Sequence, residues 1–282
     1  MEKIWISGAS GHIGSALVKL LDNRKYKFIA TDKEEVDITD IDAVHSFCKI
    51  NRPDIIINCS GLTDLQECEN NPDLAFSVNA VGVRNIAQEA QETGAKLIQI
   101  STDDVFGTTE NHLPLNEFDD IAPRSVYGKS KAAGEKFVRA LMSRYVIIRS
   151  SWVFGLGKDY VSLVLDAVKE GKTFVAATNQ YSSPTSAKEL AKVLMEFIDH
   201  EYYGTYHVVC KGTCSRYEYA QEILRLTNNE DKITLEGYED NSEHRPKYSV
   251  LDNMMIRITN IEEPTDWKTA LKSYLEETYQ NN

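Results

Sequence analysis

Long hydrophobic runs are missing from this sequence, since no apolar stretch approaches the roughly 18 residues of a membrane-spanning helix. A basic segment leading into an apolar one, as in a secretory signal, is also missing after Met1. Basic residues are fewer than acidic ones, 31 against 43, and the formal net charge is -12. A basic surface that binds nucleic acid through its phosphates is therefore not expected. We expect a cytoplasmic protein that acts on small molecules and binds neither membranes nor nucleic acid.

Cysteine is scarce as well: the five cysteines are scattered, and no two of them form a C-x-x-C pair. We therefore expect free thiols in a reducing compartment and no structural zinc site. Internal repeats and low-complexity linkers are also absent. The 282 residues, 42% of them hydrophobic and 26% charged, are enough for one large domain or for a domain with a smaller lobe.

Short runs rich in Ile and Val alternate with longer segments of helical period. This alternation is typical of repeated βαβ units and predicts an α/β fold with a Rossmann-type, doubly wound parallel sheet. The predicted strands are residues 3–7, 27–31, 54–59, 96–101, 145–149, 174–177 and 206–209. The predicted helices are residues 12–22, 42–51, 72–93, 127–142, 160–170, 187–199, 216–228 and 267–279.

The regular alternation loosens after about residue 150, where glycines and polar segments separate the remaining runs. We therefore predict a dinucleotide-binding unit at residues 1–152, completed by about residues 172–205. A smaller substrate-binding lobe, interwoven with the end of that unit, is predicted from residues 153–171 and 206–282. Ligands of open α/β sheets bind beyond the carboxyl ends of the strands, so the functional side chains are expected in the segments that follow each strand.

A glycine-rich turn follows the first predicted strand and opens a helix. Glycines allow the tight turn and let backbone N–H groups approach a pyrophosphate at the helix N-terminus. Asp32 ends the second strand, where a carboxylate can bind the adenosine ribose and would repel a 2′-phosphate. Lys33 can pair with that phosphate, so the cofactor is NADH or NADPH, with Asp32 favouring NADH. The residues predicted for this half of the cofactor are Gly8, Ser10, Gly11, His12, Ile13, Gly14, Asp32, Asp37 and Ile38.

Two further strand ends carry small or polar side chains. Cys59, Ser60 and Gly61 follow the third predicted strand and allow the backbone to come close to a cofactor. The next strand ends in Ser101-Thr102-Asp103-Asp104, which brings a hydroxyl and two carboxylates together at the same edge of the sheet. A helix-capping or turn role is the less favoured alternative for this second cluster.

The segment Tyr127-Gly128-Lys129-Ser130-Lys131 lies at the start of a predicted helix. Residues four apart share one helical face, so the Tyr127 hydroxyl and the Lys131 ammonium are expected side by side. A nearby ammonium favours the phenolate and lowers the pKa of a tyrosine from its usual value near 10. Tyr127 could then give a proton to a carbonyl oxygen while hydride arrives at the carbon. The sequence therefore predicts an NAD(P)-dependent reductase.

The chain resembles the extended short-chain dehydrogenase/reductases and, within them, the dTDP-4-dehydrorhamnose reductase family. The resemblance extends over nearly the whole chain. The matching runs are residues 8–14, 37–40, 52–58, 101–103 with 105–106, 127–131 with 134–135, 149–155, 183–185, 204–207, 245–246 with 249, and 266–267.

The resemblance implies reduction of the C4 keto group of a nucleotide-linked 6-deoxy-sugar, from dTDP-4-dehydro-L-rhamnose to dTDP-L-rhamnose. It implies that Tyr127 donates the proton, that Lys131 binds the nicotinamide ribose and lowers the tyrosine pKa, and that Thr102 polarises the carbonyl. It also implies roles for Asn79 near the nicotinamide, Trp152 in the sugar pocket and Arg245 at the diphosphate. With Thr102, the residues assigned to the substrate are Asp103, Asp104, Trp152 and Arg245.

The sequence departs from the family pattern at several positions. Family members usually carry Tyr where this chain has Asp104, and a small apolar run with Tyr where it has residues 59–62. Both segments border the sugar, so the identity of the substrate is open. Some members form a magnesium-linked dimer through an acidic residue soon after the third glycine, but Ser15 and Ala16 stand there. No metal is therefore expected, and the chain is a monomer or a homodimer.

Two alternatives remain open at this point. The run from Thr102 to Gly107 is similar to the Thr-Asp-Glu-Val-Tyr-Gly run of sugar-nucleotide 4,6-dehydratases, which, like the related epimerases, use bound NAD without net redox. The family also contains a regulatory partner of methionine adenosyltransferase, so a non-catalytic NAD(P)-binding subunit is a second alternative. The presence of Thr102, Tyr127 and Lys131 argues against that second alternative.

Overall fold

The computed structural model describes residues 2–107, 112–242 and 244–279. The predicted units include residues 1, 243 and 280–282, which lie outside these ranges, as do residues 108–111. The strands are β1 (Lys3–Ser7), β2 (Lys27–Thr31), β3 (Ile55–Asn58), β4 (Lys96–Thr102), β5 (Tyr145–Ser150), β6 (Val153–Phe154), β7 (Phe174–Ala177), β8 (Tyr181–Ser182), β9 (Thr185–Ser186), β10 (Gly204–His207), β11 (Cys214–Ser215) and β12 (Leu235–Tyr238).

The α-helices alternate with these strands, and two shorter turns of other helix types accompany them. A π-helical turn spans Ser77–Gly82, and a 3-10 turn spans Asp103–Val105. The helices are α1 (His12–Leu20), α2 (Ile41–Asn51), α3 (Leu65–Asn70), α4 (Pro72–Phe76), α5 (Val83–Thr93), α6 (Val126–Leu141), α7 (Tyr160–Glu170), α8 (Ala187–Asp199), α9 (Arg216–Leu226), α10 (Met254–Ile258) and α11 (Trp267–Thr278).

Six parallel strands form the central sheet, in the order β10-β5-β4-β3-β1-β2. The predicted doubly wound α/β fold is confirmed. Successive side chains of a strand point to opposite faces, so Ile4 and Ile6 pack under α1 and α8, whereas Trp5 packs against α2 and α5. With helices on both faces, β3 and β4 are buried along their whole length, as is usual for parallel sheets.

The segment predicted as one helix at residues 72–93 is interrupted. The π-helical turn Ser77–Gly82 separates α4 from α5, and Asn79 is buried within it. A Cβ atom at Gly82 would lie 2.7 Å from Cγ1 of Ile38, so the turn packs directly against the segment that follows β2. Turns of this kind inside helices often mark functional sites, and this one turns Asn79 toward the carboxyl end of the sheet.

A second group of elements covers the carboxyl end of the sheet. It contains the pairs β7 with β12, β8 with β11 and β6 with β9, together with α7, α9 and α11 around Phe154, Tyr219 and Trp267. β10 extends the large sheet beside β5, whereas β7 pairs with β12 outside it. The division of the chain at residues 152, 172 and 205 stays a prediction. Within the described ranges, every helix is too short or too polar to cross a membrane.

Candidate active site

The glycine-rich turn after β1 lies against the loop after β3. Gly8 has a φ of 73°, and a Cβ atom there would lie 2.6 Å from the backbone nitrogen of Ser60. A Cβ at Gly14 would lie 2.3 Å from the carbonyl oxygen of Gly8, so only glycine fits at both positions. Gly11 is the N-cap of α1 and offers no side-chain acceptor to the first N–H groups of the helix. This bare helix start fits the pyrophosphate of a dinucleotide.

The acidic residues after β2 are held by hydrogen bonds. Ser10 donates to Oδ1 of Asp32 from its backbone nitrogen at 3.1 Å and from its hydroxyl at 2.9 Å. Asp37 accepts from the hydroxyl of Thr39 at 2.7 Å and from its backbone nitrogen at 2.9 Å, and these bonds lower the pKa of Asp37. Ile38 is buried behind Asp37. Asp32 and Asp37 thus border the predicted adenosine side.

His12 connects the glycine-rich turn to the segment after β6. Its Nδ1 lies 2.6 Å from the carbonyl oxygen of Leu156, and its Nε2 lies 3.1 Å from that of Lys158. Ile13, the next residue, packs against the core under α8. The imidazole of His12 is thus engaged with the chain's own backbone.

The loop after β3 is held in place by Asn79. The side-chain oxygen of Asn79 accepts a hydrogen bond from the backbone nitrogen of Leu62, and its amide nitrogen donates to the carbonyl oxygen of Leu62, both at 2.9 Å. The same nitrogen donates to the Ser130 hydroxyl at 3.0 Å. Asn79 therefore joins the loop at residues 59–62 to α6.

Within this loop, burial raises the pKa of the Cys59 thiol to about 12, so the thiol is neutral.

Lys131 lies in the first two turns of α6, whose N-cap Ser125 accepts from the nitrogen of Gly128. Its ammonium donates to the carbonyl oxygen of Ile100 at 2.7 Å, and a Cβ at Gly61 would lie 3.6 Å from its Nζ. Burial lowers the pKa of Lys131 to about 8, and the negative charge of Glu135 opposes that shift. Lys131 therefore faces the loop after β3, beside the predicted nicotinamide half of the site.

The pKa of Tyr127 differs from what the sequence predicts. Burial raises it well above the usual value, the charge of Asp104 raises it further, and the neighbouring Thr102 hydroxyl lowers it. The sequence predicts a lowered pKa from the Lys131 ammonium. Among the chain's own groups, the loss of phenolate hydration has the largest effect, so Tyr127 is held in its protonated form.

The end of β4 carries two carboxylates in different surroundings. Asp103 accepts hydrogen bonds from the hydroxyls of Thr102 at 3.3 Å, Ser182 at 3.0 Å and Ser249 at 2.6 Å. The side chain of Asp104 has no hydrogen-bond partner among the described residues. Burial and the charge of Asp103 raise the pKa of Asp104 to about 7 against the opposing charges of Arg245 and Arg216. Asp103 therefore fastens the strand end to the second group of elements, whereas Asp104 is available to a ligand.

Trp152 and Arg216 pack against each other on the side of the candidate site that the second group of elements forms. Trp152 has a φ of 41°, an unfavourable value for a bulky residue. The guanidinium carbon of Arg216 lies 3.6 Å from the centroid of the Trp152 ring and 4.8 Å from that of Tyr160. Sequence reasoning predicts Trp152 and Arg245 but misses Arg216. The sequence does contain a signal for its position: Ser215 and Glu218 have the spacing of a capping box, which places Arg216 at the first position of α9.

A buried ion pair between Glu135 and Arg149 holds α6 against the central sheet. Glu135 accepts from Arg149 at 2.9 and 2.8 Å, from the Ser101 hydroxyl at 2.6 Å and from Arg139 at 2.9 Å. Burial acts to raise the pKa of Glu135, but the hydrogen bonds and charge of Arg149 hold it below its usual value. Glu135 therefore fixes α6 to β4 and β5, one turn beyond Lys131.

Comparisons with known proteins give a consistent result. A family model described as RmlD substrate binding domain matches residues 1–280. The spore coat polysaccharide biosynthesis protein SpsK of Bacillus subtilis is 36% identical, with 98% of each chain covered. A dTDP-4-dehydrorhamnose reductase of Aggregatibacter actinomycetemcomitans is 33% identical over 97% of this chain and 98% of its own. The crystal structure of a dTDP-4-dehydrorhamnose reductase from Bacillus anthracis in complex with NADP has a TM-score of 0.94 at 35% identity, covering 98% of this chain and 99% of that one.

Proposed function

The chain belongs to the RmlD substrate binding domain family, and from that premise we propose that it reduces the C4 keto group of a dTDP-linked 6-deoxy-sugar with NAD(P)H. The substrate proposed is dTDP-4-dehydro-L-rhamnose and the product dTDP-L-rhamnose. The observation that carries the proposal is the Tyr127 phenol beside the Thr102 hydroxyl, on the helix whose Lys131 ammonium lies near Gly61 in the loop that packs against the glycine-rich turn.

The residues around the glycine-rich turn fit a dinucleotide. Gly8, Ser10, Gly11 and Gly14 would hold the pyrophosphate at the start of α1, with His12 and Ile13 beside them. Asp32, Asp37 and Ile38 would border the adenosine. Cys59, Ser60, Gly61, Asn79 and Lys131 would surround the nicotinamide half. A reduced nicotinamide bound there supplies the hydride, and the chain's own residues supply orientation and the proton.

Tyr127 is the proposed proton donor. A phenol with a pKa of 10 or higher is protonated at neutral pH, so Tyr127 can give a proton to the keto oxygen as negative charge develops there. Thr102, next to the phenol, would donate a second hydrogen bond to the same oxygen and so stabilise that charge. Lys131 would donate to the cofactor ribose while the Ile100 carbonyl fixes its ammonium. The proton lost by Tyr127 is regained from solvent before the next turnover.

Net reduction separates this activity from the alternatives. In the dehydratase alternative, Asp103 and Asp104 would act as an acid–base pair, but Asp103 already accepts three hydroxyl hydrogen bonds. We expect stoichiometric oxidation of reduced nicotinamide, followed at about 340 nm, when the protein is coupled to a dTDP-glucose dehydratase and an epimerase. No oxidation of either NADH or NADPH in that assay would refute the reductase assignment.

The acidic side chains after β2 make NADH the expected preferred cofactor. Asp32 and Glu35 are hydrogen-bonded at the start of this segment, and the cation within it, Lys33, lies 3.9 Å from Asp37. A 2′-phosphate would meet mainly negative charge there. We expect Asp32→Ala to raise the ratio of kcat/KM for NADPH to that for NADH by about tenfold, which corresponds to roughly 1.4 kcal/mol.

Glu34→Ala is the matched control for Asp32→Ala, because it removes the same charge from an exposed neighbouring position. Steady-state kinetics with both cofactors would measure the two ratios. An equal change in both variants would show that Asp32 acts only through net charge and not at the ribose.

A further inference from the structure

His12 has contacts that only its protonated form satisfies. Its Nδ1 lies 2.6 Å from the carbonyl oxygen of Leu156, and its Nε2 lies 3.1 Å from that of Lys158. A carbonyl oxygen accepts hydrogen bonds and donates none. A neutral imidazole carries a single N–H, so one of its nitrogens would turn a lone pair toward a carbonyl oxygen. Both contacts are hydrogen bonds only when the ring is an imidazolium.

His207 shows the opposite pattern. Its Nδ1 lies 3.1 Å from the carbonyl oxygen of Leu115 and 3.2 Å from that of Asp252. Its Nε2 lies 3.4 Å from a guanidinium nitrogen of Arg149, which can only donate, so Nε2 accepts and the ring is neutral. Burial and the charge of Arg149 lower the pKa of His207 to about 3, in agreement with this pattern. The partners of the two ring nitrogens thus separate a charged from a neutral histidine.

Residues 155–158 lie between β6 and α7 and are held through their carbonyl oxygens. Besides the two that face His12, the carbonyl oxygen of Gly155 accepts from the hydroxyl of Tyr274 on α11 at 2.6 Å. A Cβ atom at Gly157 would lie 3.2 Å from Cε1 of His12, and Gly157 has a φ of 113°. The segment therefore packs closely on the imidazole.

Asp159 closes the same segment from its other end. As the N-cap of α7, it accepts from the backbone nitrogen of Ser162 at 2.7 Å and from that of Gly155 at 2.9 Å. Burial raises the pKa of Asp159, and its hydrogen bonds and the positive charge of His12 oppose that shift. Asp159 and His12 thus attract each other across the segment.

The position of His12 connects the segment to the candidate cofactor site. His12 is the first residue of α1, directly after the bare N-cap Gly11. A cation at the N-terminus of a helix is unfavourable, because the positive end of the helix dipole lies there. An anion at the same helix start, such as the pyrophosphate of a dinucleotide, would offset this repulsion and favour the imidazolium.

We propose that His12 is a positioning residue that works as an imidazolium: it holds residues 155–158 against the start of α1, beside the bound cofactor, and releases them when it loses its proton. In the neutral ring, one nitrogen repels the carbonyl oxygen that it faces. The segment then loses one of its links to the glycine-rich turn. This inference rests on the proposed function for the cofactor it names, but the charge of His12 and the order of the segment are testable without it.

Other charged groups near His12 must be separated from it in a pH experiment. They are Lys19 on α1, Lys158 and Asp159 before α7, Lys188 and Glu189 on α8, and Glu277 on α11. Farther away, the pKa values of Lys131 and Asp104, about 8 and about 7, lie in the same pH range. Contributions that these groups make in both proteins cancel in a ratio of wild type to a His12 variant.

NMR of the full chain labelled with ¹⁵N-histidine tests the charge directly, because an imidazolium and the two neutral tautomers differ in their ring nitrogen shifts. The His12 signals are assigned by their loss in His12→Gln. Without cofactor at pH 7, we expect both ring nitrogens of His12 to be protonated, whereas His207 should be neutral and serves as the internal comparison.

Hydrogen exchange of the Gly155 amide reports the order of the segment, because this N–H is bonded to Asp159. We expect His12→Leu, which removes both donors, to lower its protection at pH 6 by about three- to tenfold. His12→Gln keeps an N–H donor and should retain more of the protection. An unchanged thermal unfolding temperature would show that each variant is folded.

The affinity for NADH gives the pH profile. The contribution of the imidazolium is complete at low pH and is lost as the pH rises and the ring loses its proton. The dissociation constant of the wild type divided by that of His12→Gln should therefore rise by about three- to tenfold between pH 6 and pH 8. His200→Gln is the control, since His200 lies at the amino end of the sheet with one ring nitrogen 2.9 Å from a carbonyl oxygen. Its ratio to the wild type should stay constant.

Three results would overturn the proposal. They are a neutral His12 ring at pH 7, equal Gly155 exchange in the wild type and His12→Leu, and a ratio of dissociation constants that does not change with pH. The first two measurements need no cofactor. If they follow expectation but no keto-sugar is reduced, His12 still holds the segment and the proposed reductase activity is what fails.

Discussion

Replacing Tyr127 with Phe should lower kcat for keto-sugar reduction by about 10²- to 10⁴-fold, the usual contribution of a positioned general acid. The substitution removes the phenolic hydroxyl and leaves the ring, which is half-buried at the start of α6. The dissociation constant for NADH should therefore change by less than about twofold. Single-turnover measurements with the reduced cofactor would separate the loss in the chemical step from any change in binding.

Tyr26→Phe is a matched control for Tyr127→Phe. Tyr26 is buried, and its hydroxyl donates to Asp199 just before β2, at the amino end of the sheet. We expect its kcat to stay within about twofold of the wild-type value. If Tyr127→Phe lost cofactor affinity and turnover to the same degree, Tyr127 would be a structural residue and the proton donor would have to be sought elsewhere.

Removing the Glu135 carboxylate should be among the most destabilising changes in the protein. Glu135→Ala leaves the buried Arg149 without its partner, and breaking a buried pair in this way costs about 3–5 kcal/mol. Because interactions with Arg149 hold the pKa of Glu135 below 4.5, its stabilising contribution is complete above that pH and is lost as the pH falls. Chemical denaturation at pH 7 and at pH 4 would measure both effects.

The exposed pair between Arg144 and Glu201 provides the comparison for Glu135→Ala. Its atoms lie 3.3 Å apart on the surface, where such pairs contribute about 0–1 kcal/mol. Glu201→Ala should therefore leave the free energy of unfolding nearly unchanged. Equal effects of the two substitutions would mean that Glu135 does not hold α6 in place.

The fold was predictable because its signals are local. Apolar runs bounded by glycine or polar residues mark β1, β2 and β3 to within about one residue, and the Gly8–Gly14 spacing marks the turn after β1. The four-residue spacing of Tyr127 and Lys131 likewise needs only a helix to place both side chains on one face.

Other features depend on contacts between distant segments and have no local signal. At the π-helical turn around Asn79, Gly82 packs closely against Ile38, which lies far away in sequence. Arg216 reaches the site only because α9 packs against Trp152. The raised pKa of Tyr127 follows from burial, which spacing along one helix does not reveal.

The three hydroxyl hydrogen bonds of Asp103 determine when this site can first exist during synthesis. Ser182 and Ser249 lie 79 and 146 residues beyond Asp103, so the contacts that finish the end of β4 are among the most nonlocal in the molecule. A growing chain can assemble the five strands from β1 through β5 early, since they form one contiguous part of the sheet and are synthesised before β10. The turn beside Thr102 stays incomplete until residue 249 has emerged, because ordering it earlier would cost loop-closure entropy without these bonds in return. Nascent chains shorter than this should therefore bind a dinucleotide before they can process a sugar.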